Sequence, residues 1–454
     1  MLFRSSARGV ARADAAAGDA PAAPTGGDDL APSTETEAAG VKERRPLTAR
    51  LDNGLTVVYE AMPWLPSVSA TLVLPFGSVS DPEGFEGAAT VLHEWMQRGA
   101  GDLDSRALSD ALEDLGVRRG GGSSRESSSL TASFLASELE AVMPLFASMV
   151  TSPRLDDAEF EAARELAVQE LESLDDSPAQ RLFDELLAAF VASPQGRSPY
   201  GTAEGLAALT PALVREEARR NLRPTGAVLA LAGGADWDRV LAAAREAFGG
   251  WQGDGVNLPG VQVGKPGRRH VVADSAQVQI GLAFPGPKPG TDEAYVHNVA
   301  LNVLSGSMGS RLFTEVREKR GLVYSVSAFF RTLRGFGYTV GYAGTTPERA
   351  DETLAVFLAE LERLSEGVTA EELERAKTGM LSALVMQGES SSATAGRLAA
   401  DVFNLGRART LQEITAKVEA VTLEDVNEYV ATHRLPEPTI VTLGPARVAA
   451  GVAQ

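Results

Sequence analysis

Residues 310–328 read SRLFTEVREKRGLVYSVSA. Gly321, directly after Lys319-Arg320, ends a helix expected over Arg311–Lys319 and opens a strand running from Tyr324 to Arg331. Arg317 then sits on the last helical turn and Tyr324 at the strand start. A guanidinium and a phenol both donate hydrogen bonds, and both can serve a developing oxyanion. From such a turn the two side chains can converge on one point. The plainer reading is a capped helix with a surface arginine and a half-buried tyrosine.

Outward from this stretch the pattern repeats. Around it lie expected strands at His270–Ala273, Gln277–Phe284 and Phe336–Ala343, with a helix at Glu293–Leu304. Helices follow at Pro347–Ser365, Ala370–Gln387, Ser392–Leu405 and Leu423–Thr432, then a strand at Thr439–Leu443. The earlier half opens on LTARLDNGLTVVYE, where Asp52-Asn53-Gly54 is a hairpin-turn signal between alternating strands. A strand at Ser67–Pro75, a helix from about Ala88 to Arg98 and a strand at Ser128–Leu135 come next. A run of helices leads to a strand at Ala227–Ala232. Both halves thus order strands, helix, strands, helices, strand, which reads as a divergent internal duplication. The expected class is α+β, with two tandem homologous domains, each a mainly antiparallel sheet with helices packed on one face. Residues 46–250 and 269–454 are the two domains, and the Gly/Pro-rich residues 251–268 link them. Residues 1–45 carry little apolar bulk and read as a disordered tail.

Composition narrows the function. The net charge of −19 over 454 residues repels phosphate and argues against a nucleic-acid partner. Cysteine is absent, which excludes disulfides and thiolate metal sites. No apolar run approaches the ~20 residues that span a bilayer. The first 13 residues, MLFRSSARGVARA, are Arg- and Ser-rich without an acid. That leaves organelle targeting as the alternative to a bacterial, cytoplasmic protein.

The phrase GSRLFTEVREKRGLVYSVSA resembles the second-half signature of the insulinase/pitrilysin family of zinc peptidases. Four further blocks fall in the family's order: LDNGLTVVY, GSVSDPEGFEGAATVLHE, ARELAVQELESLDDSP and DSAQVQIGLAFPG. The resemblance covers about residues 46–445 and is similar to the short bacterial two-domain members, half of a clamshell. Family members carry His-x-x-Glu-His on the first-domain helix. Positions i, i+3 and i+4 share a helix face, so two imidazoles can hold zinc while a carboxylate sits beside the bound water.

Here those slots read Thr90, His93 and Glu94. A weak hydroxyl replaces the first ligand, a histidine replaces the base, and a carboxylate replaces the second ligand. The downstream acidic ligand survives as Glu170, while the acid two turns earlier aligns with Ala163, and Glu165 faces elsewhere. HEWMQ fails as His-Glu-x-x-His because Gln97 takes the last place. His270, His297 and His433 form no ligand spacing. Arg118–Ser124, RRGGGSS, lacks the Gly-Lys-Ser/Thr ending of a phosphate loop and reads as a flexible connector. Ser305–Ser310 reads as a helix-capping turn.

The resemblance implies a non-catalytic subunit with no cofactor of its own. Its partner is a homologous subunit carrying an intact zinc motif, and its substrate an unstructured peptide. Arg317 and Tyr324 then bind the substrate carbonyl in trans. The alternatives are an inactive scaffold or peptide-binding homologue, and an independent metallopeptidase with unusual ligands.

Overall fold

The computed structural model describes residues 44–255 and 258–445. The expected tail, up to residue 43, and the targeting stretch within it lie outside them. The first half builds β1 (Leu47–Arg50), β2 (Thr56–Ala61), β3 (Ser67–Leu74), the short pair β4 (Gly99–Ala100) and β5 (Leu103–Asp104), β6 (Arg118–Ser123), β7 (Ser128–Leu135) and β8 (Val228–Gly233). The second half builds β9 (Arg268–Val272), β10 (Val278–Gly286), β11 (Val323–Leu333), β12 (Phe336–Thr345) and β13 (Thr439–Gly444). The β1–β2 turn forms at Asp52-Asn53-Gly54. Gly54 adopts φ +91°, and the Asn53 side chain accepts the Leu55 N–H at 3.2 Å.

The first sheet runs β1-β2-β8-β3-β7-β6 and the second β9-β13-β10-β12-β11. Set β1 aside and the two orders correspond strand for strand. In each, one parallel pair (β2/β8, β13/β9) sits beside antiparallel ladders (β3/β7, β10/β12). The repeat in element order is therefore a repeat in topology.

Alternation along the strands assigns each residue a face. Val68, Ala70, Leu72 and Leu74 of β3 enter the first half's core, beside Leu92, Trp95 and Phe160 from its helices. Val278, Ile280, Leu282 and Phe284 of β10 enter the second half's core, beside Val299, Leu354 and Phe357. The opposite faces are covered reciprocally. Leu182, Leu186 and Phe190, on the helix Pro178–Phe190, pack on Ala283, Val441 and Leu443 of the second sheet. Leu398, Ala399 and Val402, on the helix Ser391–Leu405, pack on Val58, Val73, Val228 and Ala230 of the first. Each half thus lends one helix to the other, and the described residues form one compact unit.

One local reading changes. Arg118–Ser123 is not a connector but the edge strand β6, in register with β7 from Arg118↔Ser133 to Ser123↔Ser128. Its glycines are poor strand formers, but the ladder offered by β7 outweighs propensity. Gly121 holds φ +146°, and a Cβ there would lie 2.0 Å from the Ser129 carbonyl oxygen, so the strand depends on glycine at that point. Residues 258–264 are also tied down. The Gln195 amide donates to the Pro259 carbonyl at 2.6 Å, and the Gly264 N–H to the Phe190 carbonyl at 2.8 Å.

Candidate functional site

The helix expected at Arg311–Lys319 opens into a π-helical turn over Phe313–Glu318. The Lys319 N–H reaches back five residues to the Thr314 carbonyl at 2.9 Å. Such wide turns are rare and concentrate at functional positions. Gly321 then takes φ +60° and ends the helical run. The link to β11 is clamped from outside. Arg349 Nη1 donates to the Gly321 carbonyl and Thr345 Oγ1 to the Leu322 carbonyl, both at 2.6 Å. Lys319 and Arg320 both close on Glu315, at 2.7 and 2.8 Å, and hold its carboxyl below the usual range.

Arg317 stays out of that cluster. Its guanidinium lies over the Phe313 ring at 4.8 Å, one turn earlier. Tyr324 falls where the β11–β12 register slips, between Val323↔Thr345 and Ser325↔Gly344. A bulge re-aims the side chain it carries, and Tyr324 is 71% exposed rather than half-buried. Among the described residues neither the Arg317 guanidinium nor the Tyr324 hydroxyl has a hydrogen-bond or ion-pair partner. Both donors remain available to a ligand.

The zinc-motif slots lie in the first half, Thr90, His93 and Glu94 on the helix Ala88–Trp95 and Glu170 on the helix Asp157–Glu172. Asp81 fastens the start of the former by accepting the Gly87 and Ala89 N–H groups, each at 2.7 Å. The Thr90 hydroxyl donates to the Pro199 carbonyl at 2.6 Å. His93 is buried, with Nδ1 2.8 Å from Ser128 Oγ and Nε2 3.1 Å from Gln97 Nε2. The same Gln97 amide nitrogen donates to the His93 carbonyl at 3.0 Å, which orients it as a donor. His93 Nε2 is then the acceptor, so the neutral ring carries its proton on Nδ1 and gives it to Ser128. Burial pushes the ring down to about 4, which keeps it neutral at pH 7.

Glu94 and Glu170 are the slot pair that the fold brings close. Burial raises both carboxyls. The Glu94 charge raises Glu170 further, while Arg98 and Arg119 draw Glu94 back down. A cavity of about 370 Å³ opens here, bordered by His93, Glu94, Gln97, Arg119 and the β6 glycines Gly120 and Gly121. Among the described residues no three His, Cys, Asp or Glu side chains are grouped to hold a metal ion. With its hydroxyl and both ring nitrogens engaged by protein partners, this donor set does not fit zinc.

Sequence reasoning missed the role of His297. It sits on the helix Asp292–Ser305 after β10, as His93 sits on the helix after β3. Its Nε2 lies 2.7 Å from Thr339 Oγ1 on β12, the counterpart of β7, and its Nδ1 3.0 Å from the Tyr429 hydroxyl. Burial pushes it to about 4 as well. The first-half slot helix thus carries the same imidazole–hydroxyl pairing as its counterpart in the other half. Residue spacing gives no sign of that match, which only the paired ladders expose.

Comparison with known proteins gives concordant results. The profile of the insulinase family (peptidase family M16) matches residues 56–203, and that of the peptidase M16 inactive domain matches residues 208–380. An uncharacterized zinc protease of Mycobacterium tuberculosis is 30% identical over 398 residues, 86% of this chain and 91% of that protein. Another, from Bacillus subtilis, is 27% identical over 383 residues, 83% of this chain and 92% of that one. Among solved structures, a peptidase M16 inactive domain from Pseudomonas fluorescens superposes with a TM-score of 0.80 at 22% identity, covering 89% of this chain and 98% of that one. A protease from Helicobacter pylori reaches 0.81 at 19% identity, covering 89% and 100%. Both structures share the fold. Among the described residues no helix is long and apolar enough to cross a membrane.

Proposed function

Because this chain belongs to the insulinase (M16) family of peptidases, we propose that it is the non-catalytic subunit of a two-chain zinc metallopeptidase. It binds an unstructured peptide together with a homologous subunit that carries the intact zinc motif, and it holds no zinc itself. Arg317 and Tyr324 reach the partner's site and donate hydrogen bonds to the oxygen of the scissile carbonyl as negative charge develops there. The zinc of the partner subunit supplies the attacking water.

One observation carries this reading: on an irregular, externally clamped turn, the exposed Arg317 and Tyr324 have no hydrogen-bond or ion-pair partner among the described residues, while the slot side chains Thr90 and His93 are satisfied inside the protein. Edge strand β6, beside the slot cavity, offers backbone groups to an extended peptide. The relatives' bacterial source supports a bacterial setting, and the cytoplasm as its compartment is part of the same proposal.

The test mixes the purified chain with an M16 subunit bearing His-x-x-Glu-His from the same organism. Peptide cleavage is expected from the mixture and not from either chain alone. Arg317→Ala or Tyr324→Phe is expected to lower the turnover of an intact complex by about 10²–10³, the loss typical for one oxyanion donor. Full activity of either variant mixture overturns the cross-subunit role. Cleavage by the lone chain with stoichiometric zinc supports an independent metallopeptidase. Peptide binding without cleavage in any mixture supports an inactive homologue.

A further inference from the structure

A cavity of about 160 Å³ lies between the Pro178–Phe190 helix of the first half and strands β10, β11 and β12 of the second. It is comparable to a cavity that holds a benzene ring. Its apolar walls are Phe183, Leu186 and Leu187 from the helix and Ala283, Phe329 and Val340 from the sheet, with the polar Gln180 beside them. Phe183 and Phe329 meet edge to face at 6.0 Å. Its ionisable lining consists of Arg125, Arg331 and Tyr338, with no carboxylate among the lining residues.

Each of these three has a donor without an acceptor. Arg125 Nη2 bonds Asp184, but its Nε–H is shut off from solvent and unpartnered. Tyr338 is 8% exposed, and its hydroxyl has no hydrogen-bond partner among the described residues. Arg331 lies over the Phe329 ring at 4.7 Å and has no acidic partner among the described residues. Of the nearby acids, Asp184 pairs with Arg125 itself and Glu126 accepts the Arg334 N–H at 2.7 Å. Arg125 Nε is a buried donor left unmade, which is destabilising; with the exposed Arg331 guanidinium and the Tyr338 hydroxyl it gives the cavity three free donors, matched by a ligand that brings an anionic acceptor on an apolar body.

We propose that this cavity is a peptide subsite that takes a carboxylate carried next to an apolar side chain. The aromatic walls hold the side chain, while Arg331, Tyr338 and Arg125 Nε bind the carboxylate. The assignment rests on the peptide-binding part of the function proposed above. The carboxylate comes either from the C-terminus of a peptide ending in an apolar residue or from an Asp or Glu side chain beside one.

Ligand-observed NMR on the full-length chain alone tests this, with N-acetyl-Leu-Phe, its C-terminal amide, and N-acetyl-Glu-Phe-amide as probes. A carboxylate probe is expected to bind at least about tenfold tighter than the plain amide, the size of one charge-assisted hydrogen bond. Binding of the free acid alone assigns the terminal carboxylate, and matching binding of the Glu amide admits the side chain. Arg331→Gln and Tyr338→Phe should each bring carboxylate probes down to the level of the plain amide. The first side chain is exposed and the second keeps its ring, so both variants should fold. Equal binding of all three probes, no binding, or unchanged affinity in both variants overturns the subsite. No partner chain is present, so this result stands apart from the cleavage test of the in-trans reading.

Discussion

At the scale of single residues, function and stability fall on different side chains. Arg317 and Tyr324 are exposed and, among the described residues, make no hydrogen bond or ion pair, so Arg317→Ala, which gives up only the contact with Phe313, and Tyr324→Phe should change folding stability by less than about 1 kcal/mol. Urea midpoints of the lone chain check this, beside the large loss expected in the cleaving mixture. His93 is the reverse case. His93→Ala empties a buried site, orphans Ser128 Oγ and leaves the Gln97 amide only its bond to the residue-93 carbonyl, at a cost of about 2–4 kcal/mol. His297 supplies a pH test. Its pKa is near 4 in the folded chain against 6.5 when exposed, so between these values the unfolded state binds the extra proton. Stability from this group therefore falls as pH drops from about 6.5 to about 4. His297→Gln should remove about 1.4 kcal/mol per pH unit from the slope across that window. Denaturation midpoints at pH 7, 6 and 5 measure it, and identical slopes for the two proteins would show that the histidine is not buried neutral.

At the scale of elements, the exchanged helices decide how the halves cooperate. Leu186 is 2% exposed on the Pro178–Phe190 helix and packs on the other half's sheet. Leu186→Ala should cost about 2–5 kcal/mol and lower the stability of both halves in one transition. Two separated transitions in calorimetry would show that the contact does not couple them. The contact is close because β10 presents Gly281 to that helix. A Cβ there would lie 3.1 Å from Leu186 and 3.2 Å from Leu182. Nothing around Gly281 in the sequence announces this approach, since the helix that requires it belongs to the other half.

At the scale of the whole molecule, the reciprocal cover makes each half incomplete. A fragment ending near residue 250 would expose Leu182, Leu186 and Phe190, and would leave Val58, Val73 and Val228 without the Ser391–Leu405 helix. Either half expressed alone should be insoluble or molten, and coexpression should restore one folded complex, as size exclusion and near-UV circular dichroism would show. The intact chain should carry well under one zinc per molecule by elemental analysis, and a chelator should leave its melting temperature unchanged. A chelator-induced drop would reveal a bound metal that contributes to folding.

Much of this protein follows from short stretches of chain. The Asp52-Asn53-Gly54 turn, the Gly321 stop and the order of strands and helices depend on local backbone preference and periodicity, which any window of residues carries. The five motif blocks placed the chain in its family for the same reason. What the sequence left open are matters of distant partners. The π-turn under Arg317, the bulge at Tyr324 and the recruitment of β6 depend on hydrogen bonds and ladders supplied from elsewhere in the chain. The His93–Ser128 and His297–Thr339 pairs, the exchanged helices and the cavity lined by Arg125, Arg331 and Tyr338 join residues tens to hundreds of positions apart. Burial and hydrogen-bond satisfaction are settled only once the whole chain has closed upon itself, so the tertiary structure alone decides which polar groups are satisfied and which remain free for a ligand.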